Sequence, residues 1–182
     1  EPHRRRQNFC YTSPAYRSKT AAINRRLAER YKDHPALLLW HISNEYVSTP
    51  CHCDLCYGAF RDWLRTRYGT LDALNAAYWS TFWSHRYSEW DQIEPVDSSM
   101  QALMLDWQRF TSDSALDFFR AEAATLREVT PSIPVTTNFM QPDVGLNYWD
   151  FAPDVDVVSW DSYPRWHISD DAETALRTAF YH

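Results

Sequence analysis

Apolar residues recur at helical spacing in four stretches, residues 19–32, 53–68, 71–78 and 100–129. Pro35 follows the first helix and ends it, because proline cannot continue a helix. Gly69 stands just past the second, and Thr70 is placed to cap the third. The aromatic stretch that follows, residues 78–90, has no clear period and predicts a loop with helical turns. The long fourth helix has these candidate core residues: Leu103, Trp107, Phe110, Phe118 and Leu126.

Short apolar runs lie between these helices, at residues 36–42, 133–139 and 155–160. Their length and their position between helices are typical of buried parallel strands. Strands that alternate with helices predict an α/β fold with a parallel sheet. The pattern corresponds to about three of the eight units of a TIM (β/α)8 barrel. An open doubly wound sheet would also fit it.

Composition argues against several classes of function. The chain has 182 residues and a net charge of -6, and its one basic cluster is the short Arg4-Arg5-Arg6. Nucleic acid is therefore a poor partner, since phosphate binding needs many clustered Lys and Arg side chains. The three glycines stand apart, which excludes a glycine-rich phosphate loop. No run approaches the ~20 apolar residues of a membrane span, so we expect no membrane association.

Both ends of the sequence predict a segment of a longer protein. The first residue is Glu rather than Met, and the last residue falls inside a helical pattern that begins near residue 172. We therefore expect residues 1–182 to belong to a single domain that is truncated at both ends.

The first apolar run turns polar at its carboxyl end. Strand alternation places His41, Ser43 and Glu45 on one face, and Trp40 and Ile42 on the other. Enzymes of the α/β class carry their chemistry at such strand ends, which makes Glu45 a candidate catalytic carboxylate. An ordinary loop acid is the alternative. For His41 and Ser43, polar groups that line a core are the better interpretation.

The segment Trp40-His41-Ile42-Ser43-Asn44-Glu45-Tyr46 resembles the acid/base strand of glycoside hydrolase family 42, the β-galactosidases. Other segments similar to this family follow in the expected order: residues 31–36, 51–56, 60–64, 68–72, 82–85, 135–140 and 156–164. The resemblance spans nearly the whole chain. It implies strands four to six of a TIM barrel with their helices, as a segment of a glycosidase catalytic domain.

The resemblance also implies retaining hydrolysis of terminal, non-reducing β-D-galactosides. Glu45 would be the general acid/base, and Asn44 would contact the sugar hydroxyl beside the reacting carbon. The family's nucleophile is a second Glu after the seventh strand, so we expect it beyond His182. Asp161 and Asp143 also follow strands and are weaker candidates for a second carboxylate.

Two further sugar contacts are implied by the resemblance. Family members hold galactose with an Arg ahead of the first Cys, which Arg6 matches best, with Arg5 as the alternative. Trimers are common in the family, and a Trp from a neighbouring subunit can complete the active site. Trp83 is the best match for that Trp, with plain loop packing as the alternative. The resemblance therefore implies a homotrimer. Trp160 and Trp166 follow the third strand run and could also face the pocket.

The chain contains four cysteines: Cys10, Cys51, Cys53 and Cys56. The C-x-C-x2-C spacing is too dense for chance, and a disulfide between its first two members would be strained. Four thiolates can close a tetrahedral, structural zinc site, and several members of the resembled family carry zinc on a Cys cluster here. Free or oxidised thiols are the alternative, and His52 is a weaker ligand candidate. Reduced thiols suggest a cytoplasmic protein, and we expect a bacterial source.

A zinc-stabilised module that binds sugar or protein without catalysis is the rival interpretation. The acidic net charge and the Asn-Glu pair at a strand end count against it. A β-galactosidase segment is therefore the leading hypothesis.

Overall fold

The structure, a computed structural model, describes residues 9–47, 51–96, 99–140 and 145–161. Helices and short strands alternate in these residues: α1 (Pro14–Tyr31), β1 (Trp40–His41), α2 (Asp54–Tyr68), α3 (Leu71–Ala77), α4 (Gln101–Arg127), β2 (Val135–Thr136), β3 (Asn138–Phe139), α5 (Tyr148–Phe151) and β4 (Ser159–Trp160). Two 3-10 turns lie between α3 and α4, as predicted, at Phe82–Ser84 and Trp90–Gln92. A search of the described helices finds none with the length and apolar character to cross a membrane. The helix predicted from residue 172 lies outside the described residues.

The helix ends follow from the local sequence. Ser13 Oγ accepts a hydrogen bond from the Tyr16 N–H at the start of α1. At the start of α3, Thr70 Oγ1 accepts one from the Ala73 N–H at 3.1 Å. Gly69 ends α2 with a φ of 74°, a left-handed conformation that glycine adopts at little cost. The structure therefore confirms the predicted second and third helices and the caps between them.

The strands are shorter than the sequence predicts. The Leu37 N–H donates to the His34 carbonyl at 3.0 Å, so the chain is still turning where the first apolar run begins. Pairing is parallel between β1 and β2 and again between β3 and β4. Because Thr137 alone separates β2 from β3, the segment 135–139 lies between β1 and β4 and runs parallel to both. The predicted parallel arrangement is confirmed.

Two clusters of buried side chains share the long helix α4. The cysteine-side core joins its first half to α2 and α3, and consists of Cys56, Phe60, Leu64, Leu74, Ile93, Leu103, Trp107 and Phe110. The strand-side core joins its second half to α1 and the strands; among its members are Ala28, Ile42, Tyr46, Ala115, Phe118, Phe119, Leu126, Val135 and Phe139. The five residues predicted for the core face of this helix are all buried.

Helix α1 packs on α4 through a small residue. Ala28 is fully buried, whereas Ile23 and Leu27, which carry the helical pattern, are 57% and 42% exposed. Tyr16 stacks on Phe118 of α4, with 5.3 Å between the ring centroids. The predicted helix is therefore present, and its face towards α4 carries Ala28 and Tyr16 rather than Ile23 and Leu27.

Candidate active site and cysteine cluster

Three polar residues meet at the carboxyl end of the parallel strands. Glu45 follows β1, Asn138 belongs to β3, and Asp161 comes directly after β4. The Glu45 N–H donates to Asn138 Oδ1 at 3.1 Å, and Asn138 Nδ2 donates to Asp161 Oδ1 at 2.8 Å. The residue predicted as acid/base and one weaker carboxylate candidate thus belong to one hydrogen-bonded group. Asp143, the other candidate, lies outside the described residues.

The backbone turns sharply after β1. Ser43 has a φ of 53° and Glu45 a φ of 51°, in the left-handed region that residues other than glycine rarely adopt. Strand alternation therefore stops at Ile42, and the prediction that Ser43 and Glu45 share a face with His41 is wrong. His41 and Ser43 are exposed rather than lining a core in the described structure. Glu45 is half-buried, and Asn44 is exposed.

A buried tyrosine comes immediately after Glu45. Tyr46 exposes 2% of its surface, and its hydroxyl donates to the carboxylate of Glu122 in α4. Asn24 of α1 donates to the same carboxylate at 3.4 Å. Burial raises the pKa of Glu122, although both hydrogen bonds act in the opposite direction. Burial and the nearby Glu122 carboxylate raise the pKa of Tyr46 well above its usual range.

The sequence prediction missed Glu122. A signal for it exists, because Glu122 stands four residues from both Phe118 and Leu126, which carry the apolar face of α4. An acid at a core-facing position of a helix needs a partner, since buried polar groups are almost always hydrogen-bonded. The periodicity locates the acid, but it does not identify Tyr46 as the partner.

The four cysteines come together from two parts of the chain. Cys10 precedes α1, Cys51 and Cys53 precede α2, and Cys56 lies in the first turn of α2. Cys10 Sγ is 3.7 Å from Cys53 Sγ and 3.4 Å from Cys56 Sγ, and all four sulfur atoms lie within 4.8 Å of one another. These separations exceed the ~2.05 Å of a disulfide bond. They fit a tetrahedral ion, since Zn–S bonds of ~2.3 Å place sulfur atoms about 3.8 Å apart.

Hydrogen bonds within the cluster shift the pKa values of the cysteine thiols in opposite directions. A hydrogen bond from Cys56, helped by Thr12, lowers the pKa of Cys10 to about 4. The same bond raises the pKa of Cys56, and burial raises that of Cys51 to about 12. Thr12 Oγ1 lies 2.8 Å from Cys10 Sγ and 3.1 Å from Cys56 Sγ. These bonds therefore favour a thiolate at Cys10 beside a thiol at Cys56, and a bound metal ion would favour the thiolate form of both.

His52, the weaker ligand candidate, is not part of this group of four. Its Nδ1 lies 3.1 Å from the Tyr57 hydroxyl, and its ring packs on Trp107 with 5.4 Å between the centroids. The side chain therefore packs on the surface of the cysteine-side core.

The remaining predicted contacts lie elsewhere. Trp83, in the connection between α3 and α4, is 77% exposed, and neighbouring Trp79 and Phe82 are exposed as well. Its backbone has a φ of 59°, and its ring meets Phe82 edge-on. Trp160 of β4 is half-buried and packs against the strand-side core. Three candidates lie outside the described residues: Arg5, Arg6 and Trp166.

Parallel strands that alternate with helices, with polar side chains at their carboxyl ends, define the class of α/β enzymes. Within it, the chain belongs to glycoside hydrolase family 42, whose family model, described as "Beta-galactosidase", matches residues 1–182. The resemblance seen in the sequence is confirmed.

Characterised relatives cover nearly all of this chain. It is 54% identical over 185 residues to β-galactosidase BglY of Alicyclobacillus acidocaldarius, a match to 99% of this chain and 27% of that protein. It is 50% identical over 191 residues to β-galactosidase GanA of Bacillus subtilis, a match to 98% of this chain and 28% of that protein. The chain thus spans about a quarter of the length of these relatives.

Solved structures agree with this assignment. A catalytic mutant of Gan42B, a family 42 β-galactosidase from G. stearothermophilus, matches with a TM-score of 0.91 and 51% identity, over 100% of this chain and 28% of that one. The cold-adapted β-galactosidase from Rahnella sp. R3 matches with a TM-score of 0.90 and 49% identity, over 96% of this chain and 26% of that one. The chain therefore has the fold of part of a TIM-barrel enzyme, which favours the barrel over the open sheet.

Proposed function

We propose that this chain is part of the catalytic barrel of a retaining β-galactosidase, with Glu45 as its general acid/base. The observation that carries the proposal is the position of Glu45 at the carboxyl end of parallel strands, with its N–H bonded to Asn138 of a neighbouring strand at 3.1 Å. Catalytic residues of TIM barrels come from this edge. Relatives that are about half identical are β-galactosidases by name, which favours hydrolysis over a non-catalytic binding module.

The mechanism follows from two carboxyl groups with different tasks. Glu45 protonates the departing glycosidic oxygen and later removes a proton from the attacking water. The nucleophile must lie about 5–5.5 Å away, and we place it beyond His182. Asp161 suits this task less, because its Oδ1 already accepts a hydrogen bond from Asn138 Nδ2 at 2.8 Å.

Substrate contacts complete the proposal. Asn44 is exposed beside Glu45, where its amide can reach the sugar hydroxyl next to the reacting carbon. Arg6 would hold the galactose. Trp83 would reach the active site of a neighbouring subunit in a homotrimer, and its 77% exposure leaves it accessible for that contact. We infer strands four to six for the described part of the barrel.

The four cysteines would hold a structural zinc ion. Their sulfur atoms have the separations of a tetrahedral site, and four protein ligands leave no position open for water. The ion would supply a cross-link: Cys10 would be tied to the segment between β1 and α2, close to the turn that carries Glu45. Reduced thiols agree with a cytoplasmic location, which stays a prediction.

Leaving-group dependence tests the role of Glu45. In the full-length protein, Glu45→Ala should lower kcat/KM for an alkyl β-galactoside by about 100-fold or more, in the range that general acid catalysis contributes. An activated dinitrophenyl galactoside should lose far less, because its leaving group departs without a proton. Azide should raise kcat on the activated substrate and give the β-azide, since a small anion attacks the glycosyl-enzyme without a base.

Glu94→Ala is the matched control, because Glu94 is an exposed acid on the cysteine side of the chain. It should leave both substrates unaffected. Equal losses on both substrates in Glu45→Ala, without azide rescue, would show that Glu45 is not the acid/base.

A further inference from the structure

The turn that carries Glu45 has an unfavourable backbone. Two of its residues, Ser43 and Glu45, hold positive φ angles of 53° and 51° without being glycine. This conformation is unfavourable for residues other than glycine and persists only where the surroundings enforce it. Contacts around the turn must therefore hold the backbone of Glu45 in this conformation.

Asn138 supplies the contact to Glu45 itself. Its Oδ1 accepts the Glu45 N–H at 3.1 Å across 93 residues of sequence, from the neighbouring strand. A main-chain N–H in an irregular turn has no strand partner, so this side chain takes the place of one. The bond constrains the peptide plane from which the Glu45 side chain projects.

Asp161 fixes the orientation of that amide. Asn138 Nδ2 donates to Asp161 Oδ1 at 2.8 Å, which turns the amide oxygen towards Glu45. The Asp161 N–H in turn donates to the Phe139 carbonyl at 2.7 Å, so Asp161 is tied to the same strand. The order of groups is carboxylate, amide, peptide N–H, and only one orientation of the amide satisfies both neighbours.

The residue after Glu45 is held as well. Tyr46 is buried, and its hydroxyl donates to Glu122 in α4. Tyr46 thus fixes the turn to the strand-side core, while Asn138 fixes Glu45 to the strand edge. Asn138 bonds directly to the main chain of the proposed acid/base residue.

We propose that Asn138, oriented by Asp161, is a positioning residue that holds Glu45 in place for proton transfer. This inference rests on the proposed acid/base role of Glu45. A shift of the carboxyl by about 1 Å can cost two orders of magnitude in rate. Loss of Asn138 should therefore weaken the steps that need the proton, and leave sugar binding largely unchanged.

A polarity swap in the full-length protein tests the inference. Asn138→Asp keeps the size of the side chain but sets two carboxylates against each other, so kcat/KM for the alkyl galactoside should fall 10- to 100-fold. For the dinitrophenyl galactoside, kcat/KM should fall no more than about threefold, while kcat and KM fall together because deglycosylation still needs Glu45 as base. KM for the alkyl galactoside should stay within about twofold. Asp161→Asn should change kcat/KM only slightly, since the new amide oxygen can still accept a hydrogen bond from Asn138 Nδ2.

The double variant Asn138→Asp/Asp161→Asn reverses donor and acceptor and should restore most of the alkyl rate. Its new Asp accepts from both the Glu45 N–H and the new Asn. Rates are compared at the pH optimum of each variant, because the swap moves a charge towards Glu45. Asn147→Asp is the matched control: it breaks an Asn–Asp hydrogen bond of 2.7 Å to Asp150 in an exposed position. It should leave the ratio of the kcat/KM values for the alkyl and dinitrophenyl galactosides unchanged.

Three outcomes would overturn the inference. Equal losses on both substrates with a raised KM would make Asn138 a sugar contact, and failure of the double variant to recover would remove Asp161 from the role. A further loss when Asn138→Asp is added to Glu45→Ala would show that Asn138 acts independently of Glu45.

The single variant Glu45→Ala, measured in the same experiment, distinguishes failure of this inference from failure of the proposed function. If it is selective for the alkyl substrate while Asn138→Asp is not, only the positioning role fails; if it is not selective, both fail.

Discussion

Each half of α4 buries one acidic side chain, and the two side chains have different hydrogen-bond partners. In the cysteine-side core, Asp106 accepts hydrogen bonds from the Tyr68 and Tyr78 hydroxyls at 2.6 and 2.8 Å and from Arg109 at 2.9 Å. In the strand-side core, Glu122 accepts from Tyr46 and from Asn24, both neutral side chains. The two residues are almost equally buried, at 1% and 5% exposure.

The difference separates a structural acid from one beside the candidate site. The Asp106 charge has a guanidinium partner, so the ionised form is compensated and joins three helices. The pKa of Glu122 is raised by burial, and its partner Tyr46 follows the candidate acid/base directly. Perturbed acids accumulate near functional sites. The comparison therefore distinguishes an acid whose charge is paired within the cysteine-side core from an acid that contacts the residue after the proposed acid/base.

The largest effect should come from the cysteine cluster. Structural zinc contributes about 10–16 kcal/mol of apparent binding free energy in zinc-finger peptides, and much of it is folding free energy. In the full-length protein, Cys53→Ser should remove zinc and lower the thermal midpoint together. Metal analysis and thermal unfolding measure the two quantities. A chelator should lower the thermal midpoint of the parent protein to that of the variant, and should leave the midpoint of the variant unchanged. One zinc per chain and an unchanged midpoint in Cys53→Ser would refute a structural zinc site.

The next effect concerns Asp106. Asp106→Ala removes the shared acceptor of Tyr68, Tyr78 and Arg109, so the free energy of unfolding should fall by about 3 kcal/mol. Urea denaturation of the full-length protein measures it. Asp117→Ala is the matched control on the same helix, because Asp117 is exposed and its ion pair with the half-buried Arg17 at 2.7 Å should contribute less than about 1 kcal/mol. Equal losses in the two variants would remove the distinction between the buried network and a surface pair.

Local patterns in the sequence predicted the helices and the grouping of the cysteines. Caps such as Thr70 and Gly69 act on their immediate neighbours, so their effect can be inferred without the fold. The C-x-C-x2-C spacing likewise brings three thiols together over six residues. The position of Glu45 after a strand was also predictable, because the apolar run before it is short and well bounded.

The geometry of the strand edge was not predictable in this way. At the left-handed turn of Ser43 and Glu45, the Glu45 N–H bonds to Asn138, which is 93 residues further along the chain. Strand alternation assumes an extended backbone, and it failed at this turn. The partner of Glu122 was not predictable for the same reason, since Tyr46 lies 76 residues away.

The smallest expected effect is the pH dependence that Glu122 gives to the free energy of unfolding, and it tests the contrast with Asp106. The pKa of an unfolded Glu is about 4.3, and burial raises it in the folded protein. Between these two pKa values the folded state binds more protons than the unfolded state, so stability falls as the pH rises through that window. The side chains that face this carboxylate, Tyr46 and Asn24, with Tyr11 and Tyr16 nearby, stay neutral there. Glu122→Gln keeps the size of the side chain and removes the titration.

The difference in unfolding free energy, variant minus parent, should therefore grow in favour of Glu122→Gln as the pH rises from about 4. It should level off once the pH exceeds the raised pKa. Urea denaturation of the full-length protein at a series of pH values measures this difference. Glu128→Gln, at the exposed Glu that directly follows α4 and pairs with Arg25, gives the contribution of an ordinary surface substitution, which is subtracted. A difference that is flat with pH, or that grows towards acid, would mean that Glu122 is compensated as fully as Asp106, and the contrast between the two halves of α4 would not hold.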